Sequence, residues 1–152
     1  MPITHIQRSA LLPFSQQQLF EMVADVRVYP TFLPWCDSVE VLQESEDVVE
    51  ARVNARAAGV SQSFVTRNQM TPHEVIALSL VEGPFDQFEG RWEFLGLGDE
   101  TVSGTRLSLD MKFELARKNP ILRRTFGALF ERATSTLVES FCARAQTLYG
   151  QT

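Results

Sequence analysis

The sequence predicts an α+β fold in which an antiparallel sheet is covered on one face by a long C-terminal helix. Three observations support this fold class. Hydropathy alternates with a period of two over residues 38–115 and follows the helical period over residues 120–149. The length of 152 residues, with 44% hydrophobic and 22% charged residues, is typical of one globular domain. We therefore expect residues 1–152 to form a single domain.

The first predicted element is a helix over residues 16–24. Ser15 and Gln18 have the spacing of a capping box, in which the serine hydroxyl accepts from the Gln18 amide and the Gln18 side chain reaches back. Two prolines, Pro30 and Pro34, follow the helix. Because a proline removes a backbone donor from a helix interior, the segment between them is predicted as one short turn.

The middle of the chain is predicted to form strands. The clearest strand is 106–115, where the odd-numbered residues from Leu107 to Leu115 are apolar and the even-numbered residues are polar. Such alternation gives each strand one dry face and one wet face, which is typical of an antiparallel sheet covered on one side only. Glycines at 59 and 83 and the segment 96–104 supply turns. The other predicted strands cover residues 49–56, 63–67, 74–81 and 87–94.

The end of the chain is predicted to be one long helix from residue 120 to 149. Asn119 is a capping residue placed directly before Pro120, which suits the first helical position. Such a helix is about 45 Å long at roughly 1.5 Å per residue, so we expect it to lie across the dry face of the sheet. Its apolar stripe consists of residues 122, 126, 129, 130, 133, 137, 141, 145 and 148.

Charge and motif content exclude several classes of function. The formal net charge of −5 argues against a general nucleic-acid binder, which should be basic. Cys36 and Cys142 are too far apart in the sequence for a zinc cluster or a disulfide framework. The sequence contains no complete dinucleotide loop, Walker loop, zinc-protease helix or nucleophile elbow. We therefore expect no catalytic residues, no metal site and no DNA partner.

The space between sheet and helix has two interpretations. Aromatic residues on both elements, including eleven phenylalanines in the whole chain, either fill a solid core or line a cavity for an apolar ligand. Small residues such as Ala51, Ala55 and Ala133 face these aromatic residues, which indicates either close packing or a void.

Long motifs in the sequence resemble a known family. The string Asp-x-x-x-Tyr-Pro-x-Phe-Leu-Pro-Trp-Cys covers residues 25–36, and Glu-Gly-Pro-Phe-x-x-x-x-Gly-x-Trp-x-Phe covers residues 82–94. With residues 63–68 and 111–114, they resemble the coenzyme Q-binding, START-like proteins, also called the oligoketide cyclase or lipid-transport family. The resemblance extends over about residues 3–149. The bacterial branch that includes the ribosome association toxin is especially similar, with matches at residues 58–61 and 64–69.

The resemblance implies a helix-grip (START-like) fold, with a curved antiparallel sheet of about seven strands wrapped on the long C-terminal helix. It also implies non-enzymatic binding of a hydrophobic ligand, with ubiquinone or a similar isoprenoid quinone favoured, in support of respiratory electron transport. The toxin branch implies the alternative of binding to the large (50S) ribosomal subunit and blocking translation initiation. The name oligoketide cyclase implies a third option, a polyketide cyclase, for which the chain lacks convincing catalytic groups.

Alternation and the resemblance together predict which residues contact the ligand. Thr66 is expected to offer a polar contact to a head group, and apolar residues are expected to surround the rest. No catalytic cofactor is expected. The predicted ligand-binding residues are Trp35, Phe64, Thr66, Phe88, Trp92, Phe94, Met111, Phe113, Phe126, Phe130, Ala133 and Leu137.

Four cations interrupt this acidic sequence at the start of the last helix, namely Arg117, Lys118, Arg123 and Arg124, which we call the basic patch. A helix N-terminus is partially positive, so cations there are typically unfavourable. The patch is either a solvated helix end or the contact surface for an anionic partner, such as lipid head groups or ribosomal RNA phosphates.

The sequence has no signal peptide and no stretch of about 18 apolar residues. It therefore predicts a cytoplasmic protein whose contact with the inner membrane, if it has one, is peripheral. The expected partners are a hydrophobic small molecule together with either the inner-membrane surface or the 50S ribosomal subunit.

Overall fold

The computed structural model describes residues 3–57, 59–98 and 103–150. Within these ranges seven strands form one antiparallel sheet in the order β1-β7-β6-β5-β4-β3-β2, which confirms the predicted fold class. The central residues of the predicted 96–104 turn lie outside the described residues. The strands are β1 (Thr4–Leu12), β2 (Cys36–Glu44), β3 (Val48–Ala57), β4 (Val60–Thr71), β5 (Val75–Glu82), β6 (Phe85–Gly98) and β7 (Ser103–Leu115).

The dry face of the sheet is the face that alternation predicts. The odd-numbered residues of β7 from Leu107 to Leu115 are all buried. They lie directly opposite buried residues of β6, as in the pairs Phe88 with Phe113 and Trp92 with Leu109. Because paired residues project to the same side of a sheet, these side chains form one continuous apolar surface.

The N-terminal helix α1 covers Gln16–Ala24, as predicted, and both bonds of the capping box are present. The Gln18 amide donates to Ser15 Oγ over 3.1 Å, and the Ser15 amide donates to Gln18 Oε1 over 3.0 Å. The chain turns between Pro30 and Pro34, as predicted, and the Leu33 amide donates to the Tyr29 carbonyl over 2.9 Å. The sequence analysis did not predict the helical segment that leads into this turn. A 3-10 helix occupies Val26–Thr31 and contains Pro30, whose fixed φ of about −65° lies within the 3-10 range.

The predicted single C-terminal helix is divided into three segments, α2 (Pro120–Thr125), α3 (Gly127–Ser135) and α4 (Leu137–Tyr149). The breaks fall at Phe126 and Thr136, whose φ angles of −99° and −100° depart from ideal helix geometry. At the second break, the Thr136 hydroxyl donates to the backbone carbonyls of Arg132 and Ala133, and such back-bonding often bends helices. Helical backbone bonding continues through both breaks, so the three segments follow one another.

The helices cover the sheet unevenly. Segments α3 and α4 pack mainly against β1, and α4 also packs against β7. The 3-10 helix packs against β2 at the opposite edge of the sheet, and α1 packs on β6 and β7. The helices therefore pack mainly against β1, β7, β6 and β2, and less against β3, β4 and β5. None of the helices in the described ranges is long and apolar enough to span a bilayer.

Candidate functional site

An apolar cavity lies between the concave face of the sheet and the helices. Its volume is about 80 Å³. A water-sized group needs about 10–15 Å³ by this measure, so the cavity has room for roughly five to eight such groups. It is lined by Val23, Val26, Tyr29, Trp35, Ala51, Val53, Phe64, Thr66, Asn68, Ile76, Leu78, Phe88, Trp92, Met111, Phe130, Thr134, Leu137 and Phe141.

Eight of the twelve residues predicted to bind a ligand line this cavity. They come from four strands or strand ends and from the last helices, so the fold brings together positions that are distant in the sequence. The eight are Trp35, Phe64, Thr66, Phe88, Trp92, Met111, Phe130 and Leu137.

The other four predicted residues lie outside the cavity wall. Phe94 packs against Phe20 of α1, with ring centroids 5.5 Å apart. Phe113 lies behind Phe130. The two rings pack edge to face, with their centroids 4.8 Å apart. Phe126 and Ala133 border a second, smaller space beside the cavity.

This smaller space is a gap of about 10 Å³ between α3 and the end of β3. Trp35 and Phe130 line both the gap and the main cavity, so these two side chains separate the cavity from the surface beside Arg56. The small side chains of Ala55 and Ala133 face each other across the gap. The gap therefore adjoins the main cavity at the aromatic side chains of Trp35 and Phe130.

Sequence reasoning missed ten lining residues, for two different reasons. Asn68 follows Phe64 and Thr66 on the same face of β4, so the alternation itself contained the signal for it. Val26 and Tyr29 lie on the 3-10 helix, and their approach to the cavity depends on how that helix docks, which no local pattern indicates.

The polar groups of the cavity wall are few, and most of them are satisfied by the protein. The Thr134 hydroxyl donates to the Phe130 carbonyl over 2.9 Å, and the Tyr29 hydroxyl donates to the Val23 carbonyl. The Thr66 hydroxyl donates to Asn68 Oδ1 over 3.0 Å. Burial raises the pKa of the Tyr29 phenol far above its usual value, so it remains a neutral donor.

The cavity wall contains no Asp, Glu, His, Lys or Arg among the described residues. No group of three or more His, Cys, Asp or Glu residues in the described ranges is arranged to hold a metal ion. A general acid or base must lie within hydrogen-bond reach of the reacting group. The arrangement is thus suited to enclosing an apolar group rather than to proton transfer.

Burial also affects the two thiols. It raises the pKa of Cys36 to about 11, with Asp37 adding to the effect, and it raises the pKa of Cys142 as well. With such a pKa, only about one Cys36 thiol in a thousand is ionised at pH 8, and the thiolate is the reactive form. We expect both thiols to react slowly with Ellman's reagent in the native protein and rapidly in urea. A thiol that reacts within seconds in the folded protein, without urea, would contradict this expectation.

The 3-10 helix is fastened to α4 by aromatic contacts. The centroid of the Phe141 ring lies 5.4 Å from that of Tyr29 and 5.3 Å from that of Phe32, and both contacts are edge to face. The Arg144 guanidinium lies over the Phe32 ring at 5.2 Å, a cation–π contact. Because Tyr29 and Phe141 also line the cavity, these contacts hold part of its wall in place.

Within the basic patch the four cations differ in their surroundings. Arg117 bonds to Glu114 over 3.3 Å and approaches Asp86 at 4.0 Å. Lys118, Arg123 and Arg124 form no ion pair with any described residue. Arg123 and Arg124 lie in the last turn of α2 and not in the first turn of the helix, so the unfavourable interaction with the helix N-terminus is smaller than the sequence suggests.

Comparisons with known proteins agree with this fold and cavity. Residues 12–142 match the family described as polyketide cyclase/dehydrase and lipid transport. The chain is 44% identical to the ribosome association toxin RatA of Pseudomonas aeruginosa, over 97% of this chain and 99% of that protein. It is 28% identical to the mitochondrial coenzyme Q-binding protein COQ10 homolog B of Xenopus laevis, over 94% of this chain and 58% of that protein.

A solved structure shows the same architecture. The Zhui aromatase/cyclase from a Streptomyces species superposes with a TM-score of 0.81 and 21% identity, over 95% of this chain and 94% of that one. At this identity the likeness establishes the helix-grip, START-like fold alone. The matched region covers most of the chain, and the relatives align along nearly its whole length. The chain therefore belongs to the polyketide cyclase/dehydrase and lipid transport family.

Proposed function

We propose that this protein associates with the large ribosomal subunit and interferes with translation initiation, by binding and not by catalysis. The observation that carries the proposal is the 44% identity, along almost the full length of both chains, with a protein named as a ribosome association toxin. The coenzyme Q-binding relative is more distant. The comparisons thus favour ribosome association over the ubiquinone role that the sequence analysis placed first.

The charge distribution supports an anionic partner. Away from the basic patch, five arginines, four on the sheet and one on the 3-10 helix, each pair with a carboxylate within 3.3 Å, whereas Arg8 and Arg106 at the β1-β7 side form no ion pair with described residues. Lys118, Arg123 and Arg124 lack such partners among the described residues. Unneutralised cations bind nucleic-acid phosphates by releasing condensed counterions, which is favourable at low salt. The five paired arginines are Arg27, Arg52, Arg56, Arg67 and Arg91.

The proposal is tested by the joining of purified ribosomal subunits. Large and small subunits are mixed at a magnesium concentration that permits joining, and light scattering follows the formation of whole ribosomes. We expect the wild-type protein to reduce the scattering amplitude in proportion to its concentration. An acidic protein of similar size serves as the control, and an amplitude equal to that control would refute the proposal.

A second function, the binding of an apolar ligand, is favoured by the cavity itself. Its wall is almost entirely aromatic and aliphatic, as in most small-molecule sites. Burying such a ligand gains about 25 cal/mol per Å² of apolar surface without any charged partner. The volume of about 80 Å³ fits a ring-sized group, so a longer tail has to pass the gap beside Trp35. A quinone ring is one candidate for this group, by analogy with the coenzyme Q-binding relative.

Ala133→Phe tests whether a ligand uses this gap. The new ring fills the space between α3 and β3, and we expect the yield of co-purifying lipid to fall sharply. Overpacking should lower the free energy of unfolding by about 1–3 kcal/mol. Organic extraction followed by mass spectrometry measures the lipid. The matched control is Ala143→Phe on the exposed side of α4, which should leave the yield unchanged. An unchanged yield from folded Ala133→Phe would exclude this route.

A further inference from the structure

One polar pair lies within the apolar cavity wall, on the concave face of β4. Thr66 is 6% exposed and Asn68 is 8% exposed. Their cross-strand neighbours are apolar, since Thr66 lies between Ala51 and Leu80 while Asn68 is paired with Leu78 on β5. Polar side chains in such surroundings are costly unless each donor and acceptor has a partner.

The hydrogen bonds of this pair are incomplete. The Thr66 hydroxyl donates to Asn68 Oδ1, so the carbonyl side of the amide is satisfied. The two hydrogens on Asn68 Nδ2 have no acceptor among the described residues, although the side chain is more than nine-tenths buried and lines the cavity. The Asn68 amide nitrogen is not among the fully enclosed polar atoms that lack a partner, so it remains open to a group placed in the cavity.

We propose that Asn68 donates a hydrogen bond to an acceptor oxygen on the apolar ligand, and that Thr66 holds the amide in the orientation that permits it. This inference rests on the proposal that an apolar ligand occupies the cavity. The oxygen belongs to a neutral group, such as a ketone, quinone or ester carbonyl. A carboxylate is excluded because no cation among the described residues lines the cavity to compensate its charge.

Other hydroxyls of the wall do not offer this contact. Thr134 bonds to the carbonyls of Phe130 and Glu131 within its own helix. The Tyr29 hydroxyl is engaged by the Val23 carbonyl. Among the described hydroxyl and amide side chains of the wall, the amide of Asn68 is therefore the donor that is left free, and it fixes which end of the ligand faces the sheet.

The test uses two probes of nearly equal shape, acetophenone and isopropylbenzene. Acetophenone has a carbonyl oxygen at the position where isopropylbenzene has a methyl group. Dissociation constants are measured by NMR titration of the wild type, of Asn68→Leu and of the control Gln69→Leu. One hydrogen bond contributes about 0.5–1.5 kcal/mol net, so Asn68→Leu should weaken acetophenone binding roughly two- to tenfold relative to isopropylbenzene. Gln69→Leu makes the same amide-to-leucine change at the next residue of β4, which is exposed and outside the cavity wall, and should leave the ratio unchanged.

Asn68→Val gives a second variant, smaller and β-branched as strands favour, in case Asn68→Leu does not fold. It removes both amide hydrogens, and the same relative loss of acetophenone binding is expected. If both probes bind but neither variant changes their ratio, the role of Asn68 is refuted while the apolar ligand stands. If isopropylbenzene fails to bind the wild type, the ligand proposal itself fails, and this inference fails with it.

Discussion

Replacing Phe130 by alanine is expected to lower the free energy of unfolding by about 3–5 kcal/mol, as for other large aromatic side chains removed from a core. Phe130 is 3% exposed, and its ring joins α3 to aromatic residues of β4, β6 and β7. Its ring meets the rings of Phe113, Phe85 and Phe126 at 4.8, 5.2 and 5.5 Å. Two further rings, Phe64 and Phe88, lie at 5.8 and 6.5 Å.

Equilibrium unfolding in urea measures this loss. The urea concentration at the midpoint should fall, while the slope of the unfolding free energy against urea concentration should not change. Ile121→Ala is the matched control, because Ile121 is an exposed apolar residue on α2 with 74% of its surface accessible. A surface change of this kind should alter stability by less than about 0.5 kcal/mol. Equal midpoints for the two variants would show that the last helices are not anchored to the sheet through Phe130.

The double variant Arg123→Glu/Arg124→Glu is expected to lose ribosome association at low salt. Both cations are free of ion pairs with described residues, so reversal removes favourable contacts to phosphate and adds repulsion. Each phosphate-contacting cation contributes about one unit to the slope of log affinity against log salt concentration. The slope should therefore fall by about two units, measured by co-sedimentation over a salt series.

The fold of this double variant should survive, because both residues lie beyond the first helical turn and on the surface of α2. The matched control is Arg8→Glu/Arg106→Glu, which makes the same change of net charge at exposed positions on β1 and β7. We expect the control to keep most of its affinity. If both double variants lose affinity equally, overall charge and not the basic patch governs binding.

Much of the fold could be predicted because its signals are local. The period of two along β7, the capping box at Ser15 and Gln18, and the Asn119–Pro120 helix start are each visible in a few neighbouring residues. The breaks at Phe126 and Thr136 could not be predicted, since the backbone there departs from helix geometry without a proline. The bounds of strand β1 were not predicted, and in the structure the burial of this edge strand alternates only in part.

The candidate site was predictable in part, because alternation identifies a face but not the distance between faces. Phe94 and Phe113 share the dry face with Phe88 and Trp92, yet they lie under α1 and α3 and not at the cavity. Which dry-face residues border a void depends on where the helices leave the sheet uncovered. That depends on packing between elements distant in the sequence, such as α4 against the 3-10 helix.

Sedimentation of the wild-type protein with isolated ribosomal subunits tests the central claim most directly. Large and small subunits are run separately through sucrose gradients at low salt and again at high salt. The account predicts that the protein travels with the large subunit at low salt, is released as salt is added, and does not travel with the small subunit. A protein that stays at the top of every gradient, whatever the salt concentration, would contradict it.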